Sequence, residues 1–347
     1  MQNLTIAIHH DAVTQPDGVK QSFSEVWMKR AKERGIAVIP VDHRAPDFFK
    51  QVSQADAFMW RFGYSISQQT IAKRVIRAIS HGLNLQVYPS HDMYWHFEDK
   101  IAQLYLLQAA GIPIAETSVF WSKQALQEHL TQLSFPLVCK LASGIRAENV
   151  CKLNNLKELQ ELSDKMFSFG LDTLLVPKNF LIKRLGKFAM PFKLLLGRAQ
   201  LSDIQSGYLY LQEYLPDNAY DTRVNLVGNI AVACRRFNRK NDFRASGSGM
   251  LDYDQSKIDQ RFIALAFKIA RTLNLKSLAL DGLYKNGEPM IAEISYTFPA
   301  WGVNVMPGYW VETATQGLQY TEKSDLCVEE MIFDNFVDEL AQKSISK

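Results

Sequence analysis

Residues 277–295 read SLALDGLYKNGEPMIAEIS, and the fold turns on how this stretch is read. An apolar run carries Asp281, Asn286-Gly287 supplies a two-residue hairpin turn, and a second strand pattern, Met290-Ile291-Ala292-Glu293-Ile294, carries Glu293. Two carboxylates on adjacent rigid strands are able to converge. Hard divalent cations prefer oxygen ligands, and Mg2+ commonly takes one or two carboxylates while substrate phosphates supply the rest. A nucleotide-phosphate site is therefore the first expectation. The same residues also fit a surface hairpin with two solvated acids, the ordinary situation of Asp and Glu.

Three segments upstream bear on that choice. Phe135-Pro136-Leu137-Val138-Cys139-Lys140 is a short apolar strand delivering one lysine into a Ser143-Gly144 turn, and Leu209 to Pro216, LYLQEYLP, is another strand ending at a proline. Residues 220–249, YDTRVNLVGNIAVACRRFNRKNDFRASGSG, read as two strands and a Gly/Ser-rich turn carrying arginines. Lysine after a strand, a Gln-Glu-Tyr-Leu hinge, arginines, then Asp and Glu on a hairpin: this order resembles the ATP-grasp superfamily, most closely its ribosomal-protein glutamate ligase and glutathione synthetase branch. The resemblance covers residues 90–310 and rests on order and spacing rather than on any single motif.

The resemblance implies roles for particular residues. Lys100 and Lys140 would neutralise nucleotide phosphates from opposite sides, with Ser143 as a further donor; Gln212, Glu213 and Leu215 would hold adenine at the hinge, and Asp221 would join the nucleotide site. Asp281 and Glu293 would bind one or two Mg2+ ions, Mn2+ being an alternative, with Ser295 at the position where similar enzymes carry an asparagine. Arg223, Arg235 and Arg244 would steady the charge that develops on phosphoryl oxygens, a task suited to the planar, permanently charged guanidinium. The turn after Lys140 departs from the glycine-rich family pattern, although Ser143 and Arg146 are able to replace some of its donors. Taken alone, each lysine is equally a surface lysine, the hinge an edge strand, and the arginines a solvated face.

Composition agrees with an enzyme of this kind. The chain has 347 residues, 47% hydrophobic and 22% charged, enough for two or three domains with real cores. A net charge of +3, from 39 basic and 36 acidic residues, is too balanced for bulk nucleic-acid binding. The four cysteines, Cys139, Cys151, Cys234 and Cys327, lack CxxC spacing, so free thiols of a reducing cytoplasm are expected rather than disulfides or zinc. The N-terminus lacks the features of a secretory signal, and no run is long enough to span a bilayer.

Strand and helix patterns alternate over residues 1–88, which argues a parallel sheet with helices on its faces. The expected fold class is thus α/β, α+β in the C-terminal part: an N-terminal parallel-sheet domain (1–88), linking helices (89–134), a lid subdomain (135–211) with a basic insertion (174–202), and a C-terminal subdomain (212–347), with nucleotide between the last two. The insertion carries Lys178, Lys183, Arg184, Lys187, Lys193 and Arg198 among apolar residues and no acid. It reads either as a solvated basic face or as a peripheral contact with an anionic inner membrane surface. Residues 296–302 and 307–310 read as an aromatic, proline-rich loop, either a wall of the acceptor site or a plain core loop.

The chemistry implied is that of similar ligases: a carboxylate attacks the terminal phosphoryl of ATP, and an amine displaces phosphate from the resulting acyl phosphate. No catalytic Ser, Cys or His is assigned. The seven histidines show no metal-ligand spacing, and His9-His10 would at most line an acceptor pocket with Arg61. Residues 221–248, 293–296 and 307–310 look like a bacterial subgroup associated with surface-polysaccharide biosynthesis, which would make a sugar acid or amino-acid-decorated glycan the acceptor. The alternatives are ligation of amino acids or peptides, of the glutathione or glutamate-tail kind, and an ATP-binding module without turnover.

Overall fold

The computed structural model describes residues 4–11, 13–14, 20–144, 149–174, 204–240, 242–245, 247–313, 315–323 and 325–345. The N-terminal part is a four-stranded parallel sheet, in the order Ala37–Val41, Thr5–His9, Ala57–Met59, Gln86–Tyr88. Ile6, Ala7 and Ile8 are wholly buried, as expected of a parallel strand covered on both faces. The helices Phe23–Glu33 and Ile66–Gly82 begin at Ser22 and Ser65, whose side chains accept from the backbone N–H three residues on. The C-terminal helix Val328–Ile345 closes back onto the first of them through Arg30 and Arg34, which both pair with Asp334, and through the Trp27 Nε1–H bond to the Glu329 carbonyl at 2.9 Å.

A second, antiparallel sheet has the order Thr117–Phe120, Leu209–Glu213, Leu137–Lys140, Val150–Leu153. Segment 89–134, expected as helices only, therefore supplies an edge strand to the sheet that holds Lys140. The third sheet runs Glu288–Ser295, Ser277–Lys285, Tyr220–Val227, Ile230–Phe237, Gly308–Thr313, Gly317–Glu322, with Leu251–Asp252 on the side of Ile230–Phe237. Its last hairpin corrects the reading of 307–310 as loop: Tyr309 and Trp310 lie in a strand, and Trp310 is buried with its Nε1–H donated to Gln255. Pro307-Gly308 marks the entrance of this strand, and an aromatic-rich run satisfies either reading until its pairing partner is known.

Among the described residues the buried apolar side chains form two clusters. One joins the N-terminal parallel sheet to the third sheet, and the other belongs to the second sheet and its helices. The parallel bridge Ile114–Ile291, with Ile291 N–H on the Pro113 carbonyl at 2.8 Å, ties the two units together beside Glu293. Of the basic insertion 174–202, all but Leu174 lies outside the described residues, as does Arg146. Among the described residues no helix is long and apolar enough to cross a membrane.

Candidate functional site between the second and third sheets

The hairpin forms as its sequence dictates. Asn286 and Gly287 both take positive φ, 52° and 79°, the conformation a two-residue turn requires. Asp281 lies opposite Glu293 on one side and opposite Arg223 on the other. A register shift follows Asp281: Gly282 pairs with Ile291, leaving Ala292 as an extra residue that bends the strand beside Glu293. Gly282 is required by space, since a Cβ there would meet the Phe262 ring at 2.1 Å.

Four charged side chains share one face of the third sheet. Arg223 binds both Asp281 oxygens, with Nη2 to Oδ2 at 2.9 Å, and Arg236 reaches the same Oδ2 at 2.7 Å. Arg236 also binds Asp221 through two bonds of 2.7 Å. Burial on its own would raise Asp281, but Arg223 and Arg236 overcome it and hold this carboxyl well below the usual range. Asp221 stays raised because its burial outweighs Arg236. Two guanidinium groups and two carboxylates leave this face neutral, and a carboxylate has about four lone-pair positions, so Asp281 retains acceptor capacity beyond its arginines.

Beside it lies a second charged group drawn from different elements. Lys100 opens the helix Lys100–Ala109, capped by Asp99, and Lys140 ends the strand Leu137–Lys140. A lysine in the first turn opposes the helix dipole, and both lysines are nearly inaccessible, at 7% and 9% exposure. Such local conflicts mark functional sites. Lys100 Nζ stands 3.4 Å from Glu293 Oε1 and donates to the Gly144 carbonyl at 3.2 Å. Burial lowers Lys140 to about 8 even though Glu293 pulls the other way, whereas Glu293 and Glu98 outweigh the burial of Lys100 and raise it.

Glu98 is a member that sequence reasoning missed. It takes φ of 54° one residue before the cap, which turns it inward beside Lys100 and Glu293. Burial first, then Glu293, raises its carboxyl to about 7, and its Oε2 is buried with no hydrogen-bond partner among the described residues. Arg236, read from the sequence together with Arg235 as part of the arginine cluster, takes the place there that was given to Arg235. Arg235 and Arg236 are neighbours on one strand and must face opposite ways; Arg236 lies opposite Asp221, whereas Arg235 pairs with Asp252 and stacks on Tyr220 and Phe237 on the other face.

The remaining expected residues are placed as follows. Gln212 donates to Thr117 at 2.9 Å and, with Lys100, Gln103, Tyr210 and Ile291, lines a cleft between the sheets. Glu213 accepts from Lys285 and from the Glu116 N–H, both at 2.7 Å, so its carboxylate ties the hinge to the hairpin. Leu215 is half-buried just beyond that strand. Ser143 is held by backbone bonds to Gln205 and Asn149, and Arg244 by Asp242 and the Val150 carbonyl at 3.3 Å. Ser295 Oγ donates to the Thr297 carbonyl at 2.7 Å. Arg61 donates to Thr297 Oγ1 at 3.2 Å, which brings the N-terminal domain to the same end of the hairpin.

No family model matches the sequence, and no curated protein matches it. Solved structures do share the architecture. A RimK domain protein ATP-grasp from Sphaerobacter thermophilus superposes with a TM-score of 0.55 at 13% identity, over 96% of this chain and 99% of that one. D-alanine–D-alanine ligase from Bacillus anthracis, in complex with ATP, gives 0.54 at 12% identity over 99% and 100% of the two chains. The ATP-grasp ligase PsnB, complexed with precursor peptide PsnA2 and AMPPNP, gives 0.54 at 14% identity over 98% and 100%. The chain therefore has the ATP-grasp fold, a mixed α/β architecture with one parallel and two principal antiparallel sheets.

Proposed function

We propose that this protein is an ATP- and Mg2+-dependent ligase that joins a carboxylate to an amine through an acyl phosphate. The observation that carries this reading is the meeting of Lys100, Lys140 and Glu293 between the second and third sheets, three charged groups from three separate elements. Phosphoryl transfer asks a protein mainly for positioning and charge neutralisation. Lys100 and Lys140 would bind the triphosphate from two elements; the cleft residue Gln212 and the backbone near Leu215 would orient adenine. Arg223 and Arg236, fixed by Asp281 and Asp221, would face the oxygens that gain charge, and their partial burial would limit the access of water to the acyl phosphate.

The donor set fits a hard cation. Glu293 and Asp281, opposite each other on adjacent strands, offer carboxylate oxygens, the ligands Mg2+ prefers. When bound, Mg2+ would shield the triphosphate charge and polarise its terminal phosphoryl group. Ser295, whose hydroxyl is engaged with Thr297, would act through a water or not at all.

A reading nearer the ribosomal-protein glutamate ligase and glutathione synthetase branch, with a sugar acid or amino-acid-decorated glycan as acceptor, rests on the sequence resemblance alone. So does peripheral contact of residues 174–202 with an anionic membrane, which salt-sensitive binding to anionic rather than neutral vesicles would support. A second reading, an ATP-binding module without turnover, is favoured by the double engagement of Asp281 with arginines and of Ser295 with Thr297. A hydroxylamine trap separates the two: with ATP, Mg2+ and a panel of amino, peptide and sugar acids, the ligase yields a hydroxamate with its own acid. ATP binding with no ADP release across the panel would overturn the ligase reading.

A further inference from the structure

At the carboxyl end of the parallel sheet, Arg61 carries a charge that no carboxylate among the described residues neutralises. It stands just past the strand Ala57–Met59 and is partly buried. Its Nε–H donates to Thr297 Oγ1 at 3.2 Å, and its guanidinium lies over the rings of Phe23, at 5.1 Å, and Tyr64, at 5.6 Å. The arginines of the third sheet differ: Arg223 is held by Asp281, Arg236 by Asp221 and Arg244 by Asp242. Taking a cation partly out of water without a counter-charge is unfavourable to the fold, and a bound anion offsets it.

The guanidinium is set in place before any ligand arrives. Tyr296 donates its hydroxyl to the Phe62 carbonyl at 3.0 Å, and Gln69 Nε2 donates to the Tyr64 carbonyl at 2.8 Å. Residues 61–64 are thereby tied to the end of the hairpin on one side and to the helix Ile66–Gly82 on the other. A guanidinium has several N–H donors. With Thr297 on Nε, donors remain for a two-point contact with a carboxylate or a phosphate.

Position adds a further reason. From Thr5–His9 the chain passes to Ala37–Val41 on one side and then to Ala57–Met59 on the other. Ligands of open parallel sheets bind at such a switch point, outside the carboxyl ends of the strands. Arg61 lies at that place, against Phe23, which opens the helix that follows the first strand. The crevice also borders the nucleotide site: burial raises the Tyr64 phenol, and Arg61 and Arg223 both pull it back, so Tyr64 is within electrostatic reach of both guanidinium groups.

We propose that Arg61 is the oxyanion-binding residue of a substrate pocket, and that one substrate carries a carboxylate or phosphate besides the group that reacts. Thr297 and the rings of Phe23 and Tyr64 position the guanidinium. Arginine suits this task better than lysine, because its planar fork meets either oxyanion at two points and packs against rings. That the bound molecule is a ligase substrate rests on the function proposed above; the oxyanion site itself does not.

The test uses the full chain with Mg2+ and a non-hydrolysable ATP analogue. Amino acids, dicarboxylic acids and sugar phosphates are screened by saturation-transfer NMR, each beside its counterpart without the oxyanion, the amide or the free sugar. A compound with the oxyanion is expected to bind about tenfold or more tightly than its counterpart, the scale of a charged hydrogen bond, and the class that responds tells carboxylate from phosphate. Arg61→Gln should abolish this preference and leave the affinity for the ATP analogue unchanged, and Arg61→Lys should restore part of it. Should Arg61→Gln not fold, the Nε–H resonance of Arg61 in the wild type decides, since a bound oxyanion must shift it. No binding by any member, counterparts bound as well as the oxyanions, or a preference that survives Arg61→Gln would overturn the proposal. Binding through Arg61 with no ADP or hydroxamate formed from ATP would sink the ligase reading alone and leave the site standing.

Discussion

Replacing Glu98 by glutamine tests the electrostatics of the site without nucleotide or substrate. Burial and the neighbouring Glu293 raise the Glu98 carboxyl from 4.5 to about 7, so the folded state holds a proton that the unfolded chain releases. Stability from this group is complete below pH 4.5 and is lost as pH rises through 7. At about 1.4 kcal/mol for each pH unit, the loss reaches about 3 kcal/mol. Glutamine keeps the shape and never ionises. In urea unfolding with a chelator present, the stability of Glu98→Gln relative to wild type should rise by about 3 kcal/mol between pH 4.5 and pH 8, with unchanged m-values. His9 and His96, whose shifts owe nothing to Glu98, cancel in this difference. A difference that stays constant with pH would refute the buried, Glu293-facing placement of Glu98.

Four further outcomes are expected. Glu293→Ala should lower Mg2+-dependent ADP formation by about 100-fold or more, in the range for loss of a metal or transition-state contact, with an unchanged far-UV circular dichroism spectrum; retained turnover would remove Glu293 from the metal site. Lys140→Met should weaken nucleotide binding tenfold or more in a calorimetric titration while leaving the melting temperature equal or higher, because a buried lysine lowered to about 8 is a cost to folding. Arg236→Ala strands Asp221, leaves Asp281 to Arg223 alone and should destabilise by about 3–5 kcal/mol, whereas Arg235→Ala, on the opposite face, should cost about 1 kcal/mol; equal losses in denaturant titrations would contradict the face assignment. Gly282→Ala should destabilise by about 1–3 kcal/mol through overpacking against Phe262, measurable in the same titrations.

What could be read from the chain divides along physical lines. The hairpin of Asp281 and Glu293 was legible because Asn286-Gly287 demands positive φ and the flanking runs have strand character. The parallel sheet was legible because strand and helix patterns alternate over residues 1–88. Arg236 was lost to Arg235 because a strand of unknown register offers two faces, and a slip of one residue exchanges them. Glu98 was hidden because Glu98-Asp99-Lys100 reads as an acidic helix start; only the backbone shows that Asp99 caps the helix and that Glu98 turns in.

The central claim is that Lys100, Lys140 and Glu293 serve one triphosphate, and a crystal structure with Mg2+ and a non-hydrolysable ATP analogue addresses it most directly. The account predicts the phosphates between the two ammonium groups, with the cation on Glu293 and Asp281. Nucleotide bound elsewhere, with these side chains turned from it, would contradict the account.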